Sequence, residues 1–163
     1  GGVGVRFEGN AMWRNHTGVR VMGEGHAIVN NWIREMSAVG IALVNGGAAG
    51  ELVEAAHGVL AAHNTILDCE QFGIASIDGV NKQNSPAFDC RIVGNLVAGR
   101  AGTLLGLDAL PDSDVRRNLL WAAGKAETGG AGEEAILADP MLEAEGALAR
   151  FDPRSPAIGA AVT

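Results

Sequence analysis

The chain has 163 residues, 47% of them hydrophobic and 19% charged. That suffices for one continuous core and excludes a disordered polyelectrolyte. A net charge of −7 argues against general nucleic-acid binding, and no run approaches the roughly 20 apolar residues of a membrane-spanning helix.

Gly reaches 24 residues while aromatics are only 4% and Tyr is absent, a composition suited to flat, tightly stacked layers. In chain order, GGVG at 1–4 already reads as structured sequence without a signal-peptide pattern, so the N-terminus is expected to be a cut and not a natural beginning. The first segment type centres on asparagine. FEGNAM at 7–12 carries Asn10, and the form returns as IVNNWI around Asn31, AHNTIL around Asn64, VGNLV around Asn95 and RNLL around Asn118. Glycine-bracketed aliphatic runs interleave with it at 18–23, 40–46 and 73–79, with a degenerate copy at 102–105.

The asparagines are 21, 33, 31 and 23 residues apart. Short steps match one bare layer of a parallel solenoid; long ones match a layer with about ten inserted residues, here near 46–57 and 79–86. Each asparagine is read as sitting at a bend, tolerating left-handed backbone, with amides stacked about 4.8 Å apart and bonded along the column. The aliphatic runs bounded by glycine are read as short strands pointing inward.

Residues 48–60 also fit an amphipathic pattern. A short helical turn over 50–56, ended by Gly58, is expected there, with a longer helix to His63 as the alternative. From Gly124 the repeat stops. The acidic, Ala-rich segment 131–138 reads as helical, Pro140, Pro153 and Pro156 argue against a continuing sheet, and the tail is expected to cover the last coil. The domains are therefore coils over 1–123 and a capping tail over 124–163. Cys69 and Cys90 fall in different phases of the repeat and read as two buried thiols, not a disulfide.

GVRVMGEGHAIVNNWI at 18–33, IALVNG at 41–46, HNTILDC at 63–69 and GNLVAG at 94–99 resemble coils of polysaccharide lyase family six, the chondroitinase B and alginate lyase group of the pectate-lyase-like superfamily. Asp139-Pro140 followed by RSPAIG at 154–159 is similar to the C-terminal cap of many β-helix lyases. The resemblance covers most of the chain and implies an all-β right-handed, single-stranded parallel β-helix of about five coils with an irregular or short-helical cap. It also implies a secreted or periplasmic protein that cleaves an anionic, uronate-containing polysaccharide by β-elimination. The family's Lys base, its Arg before a His-Gly pair and its Ca²⁺ ligands would all lie upstream of Gly1. No catalytic residue and no cofactor is thus expected within this chain, with Ca²⁺ belonging to the intact parent. The expected partners are the anionic polysaccharide and the upstream coils, with neither nucleic acid nor membrane.

Uronate elimination needs a base, a group that neutralises the enolate and an acid for the leaving oxygen. Within the chain, four residues are candidates for binding substrate. Arg20 alternates outward between Val19 and Val21, beside the small Ala42 and Ala75, and either forks onto a carboxylate or sulfate or forms a plain surface salt bridge. Lys82 lies in the second insertion, either touching an acidic sugar or only solvating the loop. Arg34 follows the Asn31 bend. His26, with Glu24 in GEGH, is an acid–base or metal candidate or simply part of a turn. His57 and His63 show no recognised metal spacing. The competing function is a non-catalytic β-helix module that binds carbohydrate or builds a surface.

Overall fold

The computed structural model describes residues 2–46, 54–78, 85–107, 110–145 and 148–158. Among them every regular element is a β-strand, and most strands lie in stacked parallel sheets. The chain visits three sheets in turn. Sheet I takes Thr17–Val21, Val39–Asn45, Phe72–Asp78, Thr103–Gly106 and Glu127–Gly129. Sheet II takes Arg6–Glu8, Ala27–Val29, Leu60–Ala62, Arg91–Val93 and Asp114–Arg116. Sheet III takes Ala11–Trp13, Trp32–Arg34, Thr65–Leu67, Leu96–Gly99, Leu119–Ala122 and Ile136–Leu137. Within each sheet the neighbours come from successive passes of the chain, all parallel.

Parallel registration puts one kind of residue into each column. Ile33, Ile66, Val97 and Leu120 stack inward from sheet III. Val19, Ile41, Ile74 and Leu105 do so from sheet I, and Ile28, Ala61 and Ile92 from sheet II. Gly40 marks where two sheets meet closely. A Cβ there would lie 2.6 Å from the Gly73 carbonyl oxygen and 2.6 Å from a methyl of Ile66, so a side chain is excluded by contact.

The asparagine column is bonded along its length. Asn10, Asn31, Asn64 and Asn95 each direct a backbone N–H and a side-chain amide onto the side-chain oxygen of the next member, at 2.9–3.1 Å. The left-handed residue at this bend is the one before each asparagine: Gly9, Asn30, His63, Gly94 and Arg117, with φ of 53–66°. The expectation that the ladder asparagines themselves take this conformation is thereby corrected. Once the preceding residue turns the chain, the asparagine is free to aim its amide along the stack.

The tail also differs from expectation. No helix forms over 131–138. Instead Glu127–Gly129 pairs with Thr103–Gly106, Glu133 bridges to Arg116, and Ile136–Leu137 pairs with Leu119–Ala122. Parallel pairing thus continues beyond Gly124, because Gly129 and Gly132 take left-handed turns at φ 71° and 77°. The prolines act only after Leu137. Leu142–Glu145 and Leu148–Phe151 then form an antiparallel hairpin. Leu142, Phe151 and Ala157 pack on the outer face of sheet III, against Leu67, Leu96, Ala98 and Leu119. The hairpin therefore lies along the side of the stack, and Leu137 in the last layer stays 64% exposed.

The two insertions meet at their bases, where Gly46 and Ser85 exchange backbone hydrogen bonds at 3.0 and 3.1 Å. Most of the helical turn expected over 50–56, residues 50–53, lies outside the described residues; Ala55 and Ala56 are buried and non-helical. Cys69 and Cys90 are free and buried.

Candidate functional site

The outer face of sheet III carries a second ordered column, three residues after each ladder asparagine. It runs Trp13, Arg34, Leu67, Ala98 and Trp121, each in register with the next. At an interstrand spacing of about 4.8 Å, the two tryptophans are separated by about 19 Å along the stack. Trp13 is 52% exposed.

Where the tail crosses this column, a cleft of about 270 Å³ opens over Leu67 and Ala98. Arg34, Asp68, Arg100, Trp121, Asp139 and Leu142 line it. Asp68 stands at a left-handed corner, φ 51°, with its N–H bonded to the Ala98 carbonyl at 2.9 Å. The Asp139 carboxylate accepts the Met141 N–H at 2.7 Å, which fixes the turn into the hairpin. Arg34 Nε lies 3.0 Å from a Glu35 carboxylate oxygen, and the Arg34 side chain is only 20% exposed. Arg100 and Asp68 make no side-chain ion pair or hydrogen bond among the described residues.

A wider, more open depression of about 540 Å³ adjoins the cleft and shares Asp68 with it. Arg14, His16, Glu35, Ser37 and Glu70 contribute to its walls. Arg14 donates to Glu35 at 2.9 Å, and this hydrogen bond, with the charges of Arg34 and Arg14, holds the Glu35 carboxyl below its ordinary range against the opposing effect of burial. His16 Nδ1 lies 3.2 Å from the Ser37 hydroxyl.

The cleft thus combines an indole, two guanidiniums and two carboxylates over an apolar floor. Such a set can stack on the face of a ring while donating to and accepting from its substituents. Among the described residues no group of three or more His, Cys, Asp or Glu is placed to hold a metal ion.

Of the substrate-binding candidates that lie among the described residues, only Arg34 lines this cleft. Arg20 is exposed on sheet I and makes no ion pair among the described residues. Its register neighbours are Ala42 and Ala75 as expected, but both are fully buried, so the shallow groove read between them is not open. His26 is buried. Its Nδ1 accepts the Val5 N–H at 3.2 Å, and its Nε2 lies 2.9 Å from the Met22 carbonyl, which fixes the tautomer as Nε2–H. It locks a corner and presents no nitrogen to a ligand. Lys82 lies outside the described residues. Glu24 is in register with His57, whose ring stacks on Phe88 at 4.9 Å and whose Nδ1 lies 3.0 Å from the Ala55 carbonyl.

Sequence reading missed Asp68, Arg100, Trp121 and Asp139. A usable signal existed for one of them: counting three residues on from Asn10, Asn31, Asn64, Asn95 and Asn118 yields the whole outer column, Trp121 included. Compared with known proteins, the chain matches no family model, and no curated protein or solved structure matches it significantly.

Proposed function

We propose that this chain is the polysaccharide-holding C-terminal part of a right-handed parallel β-helix lyase, acting on an anionic uronate polymer of the alginate or dermatan/chondroitin kind. One observation carries the reading: the register column Trp13–Arg34–Leu67–Ala98–Trp121, with aromatic residues at both ends and a guanidinium between them. The tail covers much of Leu67 and Ala98, so a saccharide would meet the column at its two indoles, with the Arg34 guanidinium between them. Asparagine-laddered parallel layers with two inserted loops further support the β-helix kinship.

The Lys base, Arg and cation ligands of that family have no counterpart in this sequence. No residue of this chain is therefore assigned the elimination chemistry, and the parent protein is proposed to be secreted or periplasmic. The same column also favours a second reading, a non-catalytic carbohydrate-binding module: it is equipped to hold a sugar chain and contains no free base.

The test is titration of the chain with alginate, dermatan sulfate and neutral dextran, while following unsaturated uronate absorbance. Binding of the acidic polymers, weakened by salt and by Trp13→Ala or Arg34→Gln, with no turnover, is the expected result. Equal affinity for dextran, or indifference to both substitutions, refutes the proposal. Rapid cleavage by the chain itself refutes the placement of the chemistry.

A further inference from the structure

We infer that the cleft beside the C-terminal hairpin is an open-sided subsite for a single carboxylated sugar residue. The inference rests on the polysaccharide reading above only for the class of ligand. Its volume of about 270 Å³ falls just below the usual range for drug-sized ligands and suits one ring rather than a chain. The floor, Leu67 and Ala98, is apolar and nearly buried, each 6% exposed. Trp121 lies next to Ala98 in register and supplies the ring-stacking face.

The polar groups divide by role. Arg34 is already within 3.0 Å of Glu35, so its charge is partly committed. Arg100 has no such partner among the described residues and is the guanidinium left to take a carboxylate in a forked, charge-assisted pair. Asp68 is likewise uncommitted, and the second oxygen of Asp139 remains beyond the one that accepts from Met141; these carboxylates accept hydroxyl protons. Two cations against two carboxylates make the cleft close to neutral when empty. One ligand carboxylate with several hydroxyls fits it, whereas a multiply sulfated ring would meet Asp68 and Asp139 with like charge.

The experiment titrates the chain with a uronate trisaccharide prepared from alginate and with its carboxyl-reduced counterpart. The readout is the Trp121 indole N–H signal in NMR, assigned with Trp121→Phe. The acidic trisaccharide is expected to shift that signal, and Arg100→Gln to weaken it roughly tenfold or more, as expected for loss of a hydrogen bond to a charged group. Arg100 is on the surface, so this variant is expected to fold. The reduced trisaccharide should bind more weakly and equally to both proteins. An unmoved Trp121 signal, an Arg100→Gln variant that binds like the parent chain, or equal affinity for the reduced sugar each overturns the inference. Acidic polymer binding that depends on Trp13 and Arg34 while Trp121 stays unmoved removes the subsite alone. A trisaccharide seated at Trp121 in a chain whose polymer binding ignores Trp13 and Arg34 removes the extended-column reading alone.

Discussion

The side-chain oxygen of Asn64 accepts two hydrogen bonds from Asn31, one from its backbone N–H at 3.0 Å and one from its side-chain amide at 2.9 Å. Asn64 in turn directs its own amide to Asn95 at 3.0 Å and to the Ile28 carbonyl at 2.8 Å. Both residues are no more than 2% exposed, so water cannot replace a lost partner. Asn64→Ala leaves the buried Asn31 N–H without its acceptor and removes a donor from the Ile28 carbonyl, while the Asn31 amide keeps the Phe7 and Val29 carbonyls, which is expected to cost on the order of 2 kcal/mol or more. Asn10 heads the same ladder but is exposed, and Asn10→Ala is expected to cost about 1 kcal/mol or less. Urea midpoints measure both; equal losses would mean that burial does not set the ladder's contribution.

Close sheet contact makes a second comparison. Gly40→Ala drives a Cβ to 2.6 Å from the Gly73 backbone oxygen, which cannot yield as a flexible side chain would. A loss of about 2 kcal/mol or more is expected, as for overpacked cores. At Gly130 a Cβ would meet nothing within 4 Å, and the backbone has no left-handed φ. Gly130→Ala should therefore change stability by no more than about 0.5 kcal/mol. A well-tolerated Gly40→Ala would show that sheets I and III do not meet as closely as this geometry requires.

The thiols give a pH dependence with a definite sign. Burial pushes Cys69 up to about 12 and Cys90 up to about 11, from an ordinary value of 9.0. The folded chain therefore holds both thiol protons through a range in which the unfolded chain releases them. Stability is full below about pH 9 and falls as pH rises toward 11, by up to about 1.4 kcal/mol per pH unit for each thiol. Denaturant titrations across this window should show the slope, and the Cys69→Ala, Cys90→Ala double variant should flatten it despite a lower baseline. There is no Tyr to confuse the comparison. A parallel slope in both proteins would contradict the burial argument.

The layers are legible in the sequence because a parallel stack repeats its demands. An amide that must bond to its copy in the next layer returns as asparagine, and an inward position returns as Val, Ile or Leu. The left-handed bend falls one residue earlier than expected: Gly9, Asn30 and Gly94 favour it locally, whereas at Arg117 the neighbouring layers impose the turn. The last layer is hidden for a related reason. Ala135 follows the left-handed Glu134, where the pattern would place asparagine, so the backbone pairing continues while its sequence signature stops. The Ala- and Glu-rich composition there then favours a helix on local grounds. The cleft is the least legible feature, since Arg34, Asp68, Arg100 and Asp139 come together only through register and through a tail that turns to the side of the stack.

That sideways tail makes the last comparison. Phe151 pairs in register with Leu142, and both pack against the outer face of sheet III together with Trp32 and Trp121. Phe151→Ala removes part of an apolar cover from strands whose outward residues Leu67, Leu96 and Leu119 are no more than 6% exposed. Since Phe151 is only half-buried, the loss should lie below that for a core phenylalanine, on the order of 2 kcal/mol. With three tryptophans and no Tyr, the emission is that of indole alone, and two of the three lie in this cluster. Loosening the hairpin should therefore shift emission to the red while far-ultraviolet circular dichroism stays strand-like. Ile158, 56% exposed, serves as the control, and Ile158→Ala should leave both unchanged. If Phe151→Ala altered neither emission nor the urea midpoint, the hairpin would not be held by sheet III, and the hairpin side of the cleft would lose its anchor.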